Sequence, residues 1–140
     1  MPFNNLDELE AALKKRRYAC LIAEPATTNY ILVQPDENFW QQAHTLCQQY
    51  GSLLILDETH TQTFAYGGLK KLWNLDCDII SMGKCLGGGI AIGAYGMSEE
   101  LAQITVNHID RYRGGRVLPS GGTLFGMPCR WLRRRRRWKA

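Results

Sequence analysis

Three short apolar runs, each closing on a charged residue, do most to limit what this chain can fold into. YACLIAEP carries Glu24 at its end, SLLILDE ends in Asp57 and Glu58, and DIISMG leads into Lys84. Runs this short, apolar without alternation and bounded by turn-forming residues, read as strands covered on both faces rather than as helices. Pro25 stops the first, because proline has no amide hydrogen to give to a strand ladder.

The segments between the runs read as helices and loops. Asn5 followed by Glu8 forms a capping pattern, and Leu6, Leu9 and Leu13 recur at helical spacing, so LDELEAALKKRR is expected to be a surface helix. Asp36 is the expected cap of a second helix, FWQQAHTLCQQY, which Gly51 ends in a left-handed conformation. THTQTFAYGGLKKLWNL is a polar, glycine-interrupted connection. GGGIAIGAYGM is a glycine loop running into a fourth strand, and Ser98 with Glu100 caps a helix through LAQITVNHI. This alternation predicts an α/β fold, a mostly parallel sheet with flanking helices. Ligands in such sheets sit off the carboxyl ends of the strands, where Glu24, Asp57 and Lys84 all fall.

Charge separates the body of the chain from its end. Seventeen basic residues against thirteen acidic give a net charge of +4. Arg130, Arg133 to Arg137 and Lys139 supply that excess, and ahead of Cys129 the acidic residues outnumber the basic ones. The body therefore has no surplus of positive charge with which to hold phosphate backbones. The five cysteines are widely spaced, with no C-x-x-C pair, which argues against a disulfide framework or a zinc site. They are expected to be small buried hydrophobes. No apolar run approaches the roughly 20 residues of a membrane span, and the N-terminal segment lacks the apolar centre of a signal peptide. A reduced cytoplasmic compartment is expected, with no membrane partner.

An acid and a lysine at neighbouring strand ends, taken alone, fit a surface salt bridge as readily as a site. The flanks of Lys84 sharpen the choice, since IISMGKCLGGG places glycines almost directly after it. Glycines there let the backbone turn sharply or approach a ligand closely. A phosphate-binding P-loop needs its lysine after the glycines and followed by Ser or Thr; here the lysine precedes them and Cys85 follows it. A lysine between a strand and a glycine turn, partly desolvated, suits imine formation instead, because burial lowers its pKa and frees the lone pair.

LLILDETHT, DIISMGKCLGGGIAIGAYG and GGTLFG together closely resemble the class III aminotransferases, pyridoxal-phosphate enzymes of fold type I that include the glutamate-1-semialdehyde aminomutase branch. The resemblance runs from about Leu6 to Gly126 and implies part of the large domain of such an enzyme, with pyridoxal 5'-phosphate as cofactor and a small-molecule amino donor and acceptor. Lys84 matches the lysine of the internal aldimine, which later moves a proton between substrate carbon and cofactor. Asp57 matches the aspartate paired with the pyridine nitrogen, which keeps the ring able to accept electrons. Thr59 and His60 follow it where the family packs a residue against the ring face. Glu24, in its Glu-Pro pair, matches an acid near the substrate pocket. Thr123, in GGTLFG, matches a threonine that binds the cofactor phosphate of the neighbouring subunit, which implies a homodimer. DETHT departs from the commoner D-E-V-x-T-G-F-R. Read without the resemblance, Glu24 is equally a strand cap and His60 a loop histidine with local hydrogen bonds. Tyr66 and Trp73 are packing residues.

The family's phosphate-binding turn has no match ahead of Glu24, and its C-terminal domain has none after Gly126. Residues 1–126 are accordingly expected to be a central part of the large domain, inactive alone, and 127–140 a basic tail, out of frame and without ordered structure. Where the family continues G-N-x-L into an alanine-rich helix, this chain reads GMPCRWLRRRRRWKA. Read one base earlier, CGG arginine codons become GCG alanine codons, and a GC-rich coding of the tail converts into N-A-L-P-M-A and further alanines. A second reading, from another class, is a small basic nucleic-acid-binding protein using Arg133 to Arg137 with Trp131 and Trp138 as stacking groups. Under the first reading any such binding is incidental to the tail. DNA sequencing across codon 126 separates the two: a one-base shift is expected to reopen a family-type reading frame, and a closed frame there would refute the shift.

Overall fold

The structure is a computed structural model and describes residues 1–111; Thr123 and the tail 127–140 lie outside the described residues. In chain order the elements are α1 (Leu6–Leu13), β1 (Cys20–Ala23), α2 (Phe39–Tyr50), β2 (Leu53–Asp57), α3 (Gly68–Leu72), β3 (Ile79–Met82), β4 (Ala94–Met97) and α4 (Glu99–Arg111). Short 3-10 turns occupy Thr61–Thr63 and Lys84–Gly87. The strands form one sheet in the order β1-β2-β3-β4. β1 pairs with β2 and β2 with β3 in parallel, while β4 returns antiparallel along β3. The mostly parallel α/β sheet read from the sequence is the one observed.

The core lies between α1, α2 and one face of the sheet. Leu54 and Leu56, alternate residues of β2, are completely buried against Ala43 and Cys47 of α2 and Leu9 and Leu13 of α1. Phe3, Phe39 and Trp40 pack their rings at 5.0 to 6.0 Å. The Trp40 indole N–H donates to the Pro25 carbonyl at 2.9 Å and so ties the loop after β1 to this core. β1 is not covered on both faces as expected. It lies at the sheet edge with Leu21 and Ala23 turned to the core, whereas Ile22 on the opposite face is 59% exposed.

Local signals set the helix ends in most places. Asn5 Oδ1 accepts from the Glu8 amide at 3.0 Å, and Glu8 Oε1 accepts from the Asn5 side-chain amide at 3.3 Å. Gly51, at φ 75°, ends α2, with the Ser52 amide donating back to the Cys47 carbonyl. Ser98 begins α4 as expected, its carbonyl accepting from the Ala102 amide. Two expectations need correction. α1 stops at Leu13 and does not continue through the basic residues; Arg16 turns the chain at φ 48°. Asp36 does not cap α2, because its carboxylate accepts from the Asn4 side chain at 3.0 Å; Asn38 in a left-handed conformation starts the helix instead.

The cysteines divide by location, contrary to the expectation that all are buried. Cys47 is buried in the core and Cys77 partly so, but Cys20 and Cys85 are exposed. Burial pushes the Cys47 thiol up to about 11, which leaves little thiolate at neutral pH. A thiol reagent under native conditions is therefore expected to label Cys20 and Cys85 rapidly. Cys47 should react only on unfolding, as followed by mass spectrometry of the labelled peptides.

Candidate active site

β2 and β3 bring their carboxyl ends together because they are parallel and in register, Asp57 lying opposite Ser81. Asp57 Oδ1 accepts from Ser81 Oγ at 2.9 Å, from the Thr59 amide at 3.0 Å and from the Thr59 hydroxyl. Partial burial opposes ionisation of Asp57. The Thr59 and Ser81 hydrogen bonds, with the nearby positive charge of Lys84, outweigh it and hold the carboxyl below its ordinary value. The strand end thus presents a carboxylate fixed in orientation and in charge.

Lys84 follows β3 after Gly83 and stands at φ 44°. A side-chain-bearing residue in this left-handed region costs roughly 1–2 kcal/mol relative to the right-handed helical conformation. Gln62 helps to hold it there: its side-chain amide donates to the Gly83 carbonyl at 2.5 Å and to the Thr59 carbonyl at 3.1 Å, joining the two strand-end loops. Lys84 is exposed, not partly desolvated as expected. Among the described residues it makes no direct ion pair with Asp57, so the two strand ends are not closed by a surface salt bridge.

Glu24 follows β1 and joins a second hydrogen-bonded group. Thr28 Oγ1 lies 2.5 Å from Glu24 Oε2 and 2.7 Å from His60 Nδ1. Glu24 and His60, distant in sequence, therefore meet through Thr28. The structure brings Asp57, Thr59 and Ser81 together, and Glu24, His60 and Thr28 together, at the carboxyl-end edge of the sheet; Thr123 lies outside the described residues.

Glu58, beside Asp57, is wholly buried. Its carboxylate accepts from the Thr61 hydroxyl and from the Leu69 and Lys70 amides at 3.3 and 2.5 Å, which anchors the start of α3 beneath the site loops. Gly68 is required here, since a Cβ would lie 2.8 Å from that carboxylate and the backbone is at φ 70°. Removing the Glu58 carboxylate would leave these donors buried without a partner, at about 1–3 kcal/mol for each. Sequence reading passed over Glu58's role, Ser81, Thr28 and Gln62. For Ser81 the strand register supplies the missing signal; for the others only the folded loops do.

Two features elsewhere are separate from this edge. A shallow hollow between α1 and α2 is lined by Leu6, Glu10, Gln41 and Leu46 among others. The described residues contain no group of three or more His, Cys, Asp or Glu side chains placed to hold a metal ion.

Known proteins share this arrangement of sequence and fold. The profile of the family "Aminotransferase class-III" matches residues 2–132. Glutamate-1-semialdehyde 2,1-aminomutases from Persephonella marina and Acidobacterium capsulatum are 38% and 40% identical over 131 residues, 91% of this chain and 29% of each relative. Among solved structures, a glutamate-1-semialdehyde-aminomutase from Pseudomonas aeruginosa PAO1 superposes with a TM-score of 0.80 at 35% identity, over 90% of this chain and 28% of that one. An omega-transaminase from Sphaerobacter thermophilus superposes at 0.75 and 30% identity, over 93% and 29%. The chain thus spans under a third of the length of these relatives, and its sheet corresponds to part of the large domain of fold type I transferases. On the match of sequence and fold together, it belongs to the class III aminotransferase family.

Proposed function

We propose that this chain supplies the lysine-bearing part of a pyridoxal-phosphate site, in an enzyme that moves an amino group between small-molecule donor and acceptor. One observation carries the proposal: Asp57 is held ionised at the end of β2, next to the strand end that delivers Lys84. A fixed carboxylate suits a protonated pyridine nitrogen, because the donors that keep the acid ionised would leave the proton on the ring nitrogen of such a pair. When bound, pyridoxal phosphate supplies an electron-withdrawing ring through which an amino group and a proton leave and return at a substrate carbon.

The residues then take distinct parts. Lys84 would provide the amine that holds the cofactor, with Nζ as the atom able to hold and move a proton. Its left-handed backbone, next to a Gly83 carbonyl held by Gln62, would fix where the side chain leaves the strand end. Asp57 would hold the ring by its nitrogen, and Thr59, which donates to Asp57, would lie against the ring face. His60 lies on the same loop, held by Thr28, and would serve as a polar contact to the cofactor. Glu24 faces the substrate side. Thr123 would bind the cofactor phosphate of a neighbouring subunit in a homodimer. In this reading no residue of 127–140 is assigned a part, and nucleic acid would be bound only incidentally, through the arginine run. The chain alone is expected to bind the cofactor weakly and to have no transferase activity.

Borohydride trapping tests the assignment. Incubating the full chain with pyridoxal phosphate, reducing, and mapping modified peptides should find Lys84 labelled ahead of Lys14, Lys15, Lys70, Lys71 and Lys139. The preference should fall in Asp57→Ala. Labelling spread evenly over the lysines would sink the proposal.

The lowered pKa of Asp57 gives a second test with a definite sign. Because the native value lies below the ordinary 3.8, the ionised form contributes stability that is present above that pH and lost as the pH falls through the native value. Ser81→Ala removes one donor, so the Asp57 titration followed by carboxyl NMR should move upward. The stability that Asp57 contributes should then be smaller, and its loss on acidification should be complete at a higher pH than in the wild type. An unmoved titration would mean that Ser81 does not help to hold the charge.

A further inference from the structure

The hydrogen-bonded group at the ends of β1 and β2 has a direction. Thr28 Oγ1 lies 2.5 Å from Glu24 Oε2 and 2.7 Å from His60 Nδ1, and Nδ1 itself lies 3.8 Å from that same Oε2. An ionised carboxylate only accepts, and a threonine hydroxyl has one hydrogen to give. That hydrogen goes to Glu24. Toward His60 the hydroxyl then offers only lone pairs, so Nδ1 must hold a hydrogen to donate. A bare Nδ1 would instead set its lone pair against two oxygen acceptors. A neutral imidazole carries a single N–H, so Nε2 is the nitrogen left bare.

The loop is built to keep Thr28 in this place. Pro25 is tied to the core by the Trp40 indole. Thr27 closes the loop against Val33 through a two-way backbone bridge, and its hydroxyl accepts from the Val33 amide and donates to the Ile31 carbonyl. His60 is fixed from the other side by directly following Thr59, whose amide donates to Asp57, at the start of the Thr61–Thr63 turn. No described residue pairs with Nε2, and the His60 side chain is 29% exposed.

We propose that Thr28 is a positioning residue that relays the Glu24 carboxylate to His60, fixing the ring proton on Nδ1 and leaving Nε2 as an acceptor. The ligand chemistry this selects is a hydrogen-bond donor, an ammonium or hydroxyl group of a small molecule bound off the carboxyl ends of β1 and β2. The relay exists in the protein without ligand and does not depend on whether pyridoxal phosphate binds.

The test is the tautomer itself, read by long-range proton–nitrogen NMR on the full chain labelled with 15N, at a pH well above the ordinary histidine value of about 6.5. His60→Gln identifies the His60 signals among the three histidines. The wild type should show His60 protonated on Nδ1, the reverse of the tautomer that predominates for free neutral histidine in water. Thr28→Val keeps the shape but removes the hydroxyl, and should return His60 to the Nε2–H form; Thr28→Ser should retain the wild-type pattern. A wild-type His60 protonated on Nε2, or averaged like histidine in the denatured chain, overturns the proposal. So does a Thr28→Val protein that keeps the proton on Nδ1. A purely structural role for Thr28 would alter stability without reversing the nitrogen that carries the proton.

Discussion

The parallel pairing of β2 with β3 is the constraint on which the rest of the site depends. It sets Asp57 opposite Ser81, lets Ser81 Oγ donate to the Asp57 carboxylate, and allows the Ser81 carbonyl to accept from the Glu58 amide at 2.9 Å. A slip of one residue would turn every side chain of one strand to the other face. Leu54 and Leu56 would leave the core, and the carboxylate would lose its donor in the same movement. Core packing and site geometry are therefore enforced by one register, and the buried leucines secure the position of a charge that they do not touch.

Adjacent acids in this framework meet opposite environments. Asp57 stays partly open, bonded to hydroxyls and one amide, and keeps its charge directed along the strand end. Glu58 turns inward and accepts from Thr61, Leu69 and Lys70. The first keeps a charge at the open strand end, the second holds the loop from which Thr59, His60 and Gln62 project. A third acid, Asp78, works at the other end of the sheet: it accepts from the Leu54 amide at 2.7 Å and faces His44 at 3.5 Å, fastening the start of β2. The strand is thus anchored by carboxylates at both ends.

How much of this could be read from the sequence depended on how local the cause was. The strands, the Asn5–Glu8 cap, the Gly51 stop and the placing of Glu24, Asp57 and Lys84 at strand ends follow from neighbouring residues, and so were legible. Asp36 was misread because Asn4, far away in the chain, takes its carboxylate. α3 was hidden because a buried acid from the preceding loop anchors its first turn, and its own five residues carry no capping signal. The exposure of Lys84 and of Ile22 had a different origin. Pattern reading assumes that apolar strands and the residues beside them are covered, whereas here the described elements cover one face of the sheet. The links from Thr28 to His60 and from Gln62 to Gly83 join loops, and no spacing rule reaches across them.

The backbone at Lys84 has a consequence for how this stretch of chain changes over time. At φ 44° glycine would sit without steric penalty, and it is already the residue at several neighbouring positions. Drift that favours stability alone would pull this position toward glycine, and only a use for the amine at the strand end would hold it at lysine. A copy of the fold retained only as a scaffold would be free to surrender this lysine early, ahead of the leucines beneath it.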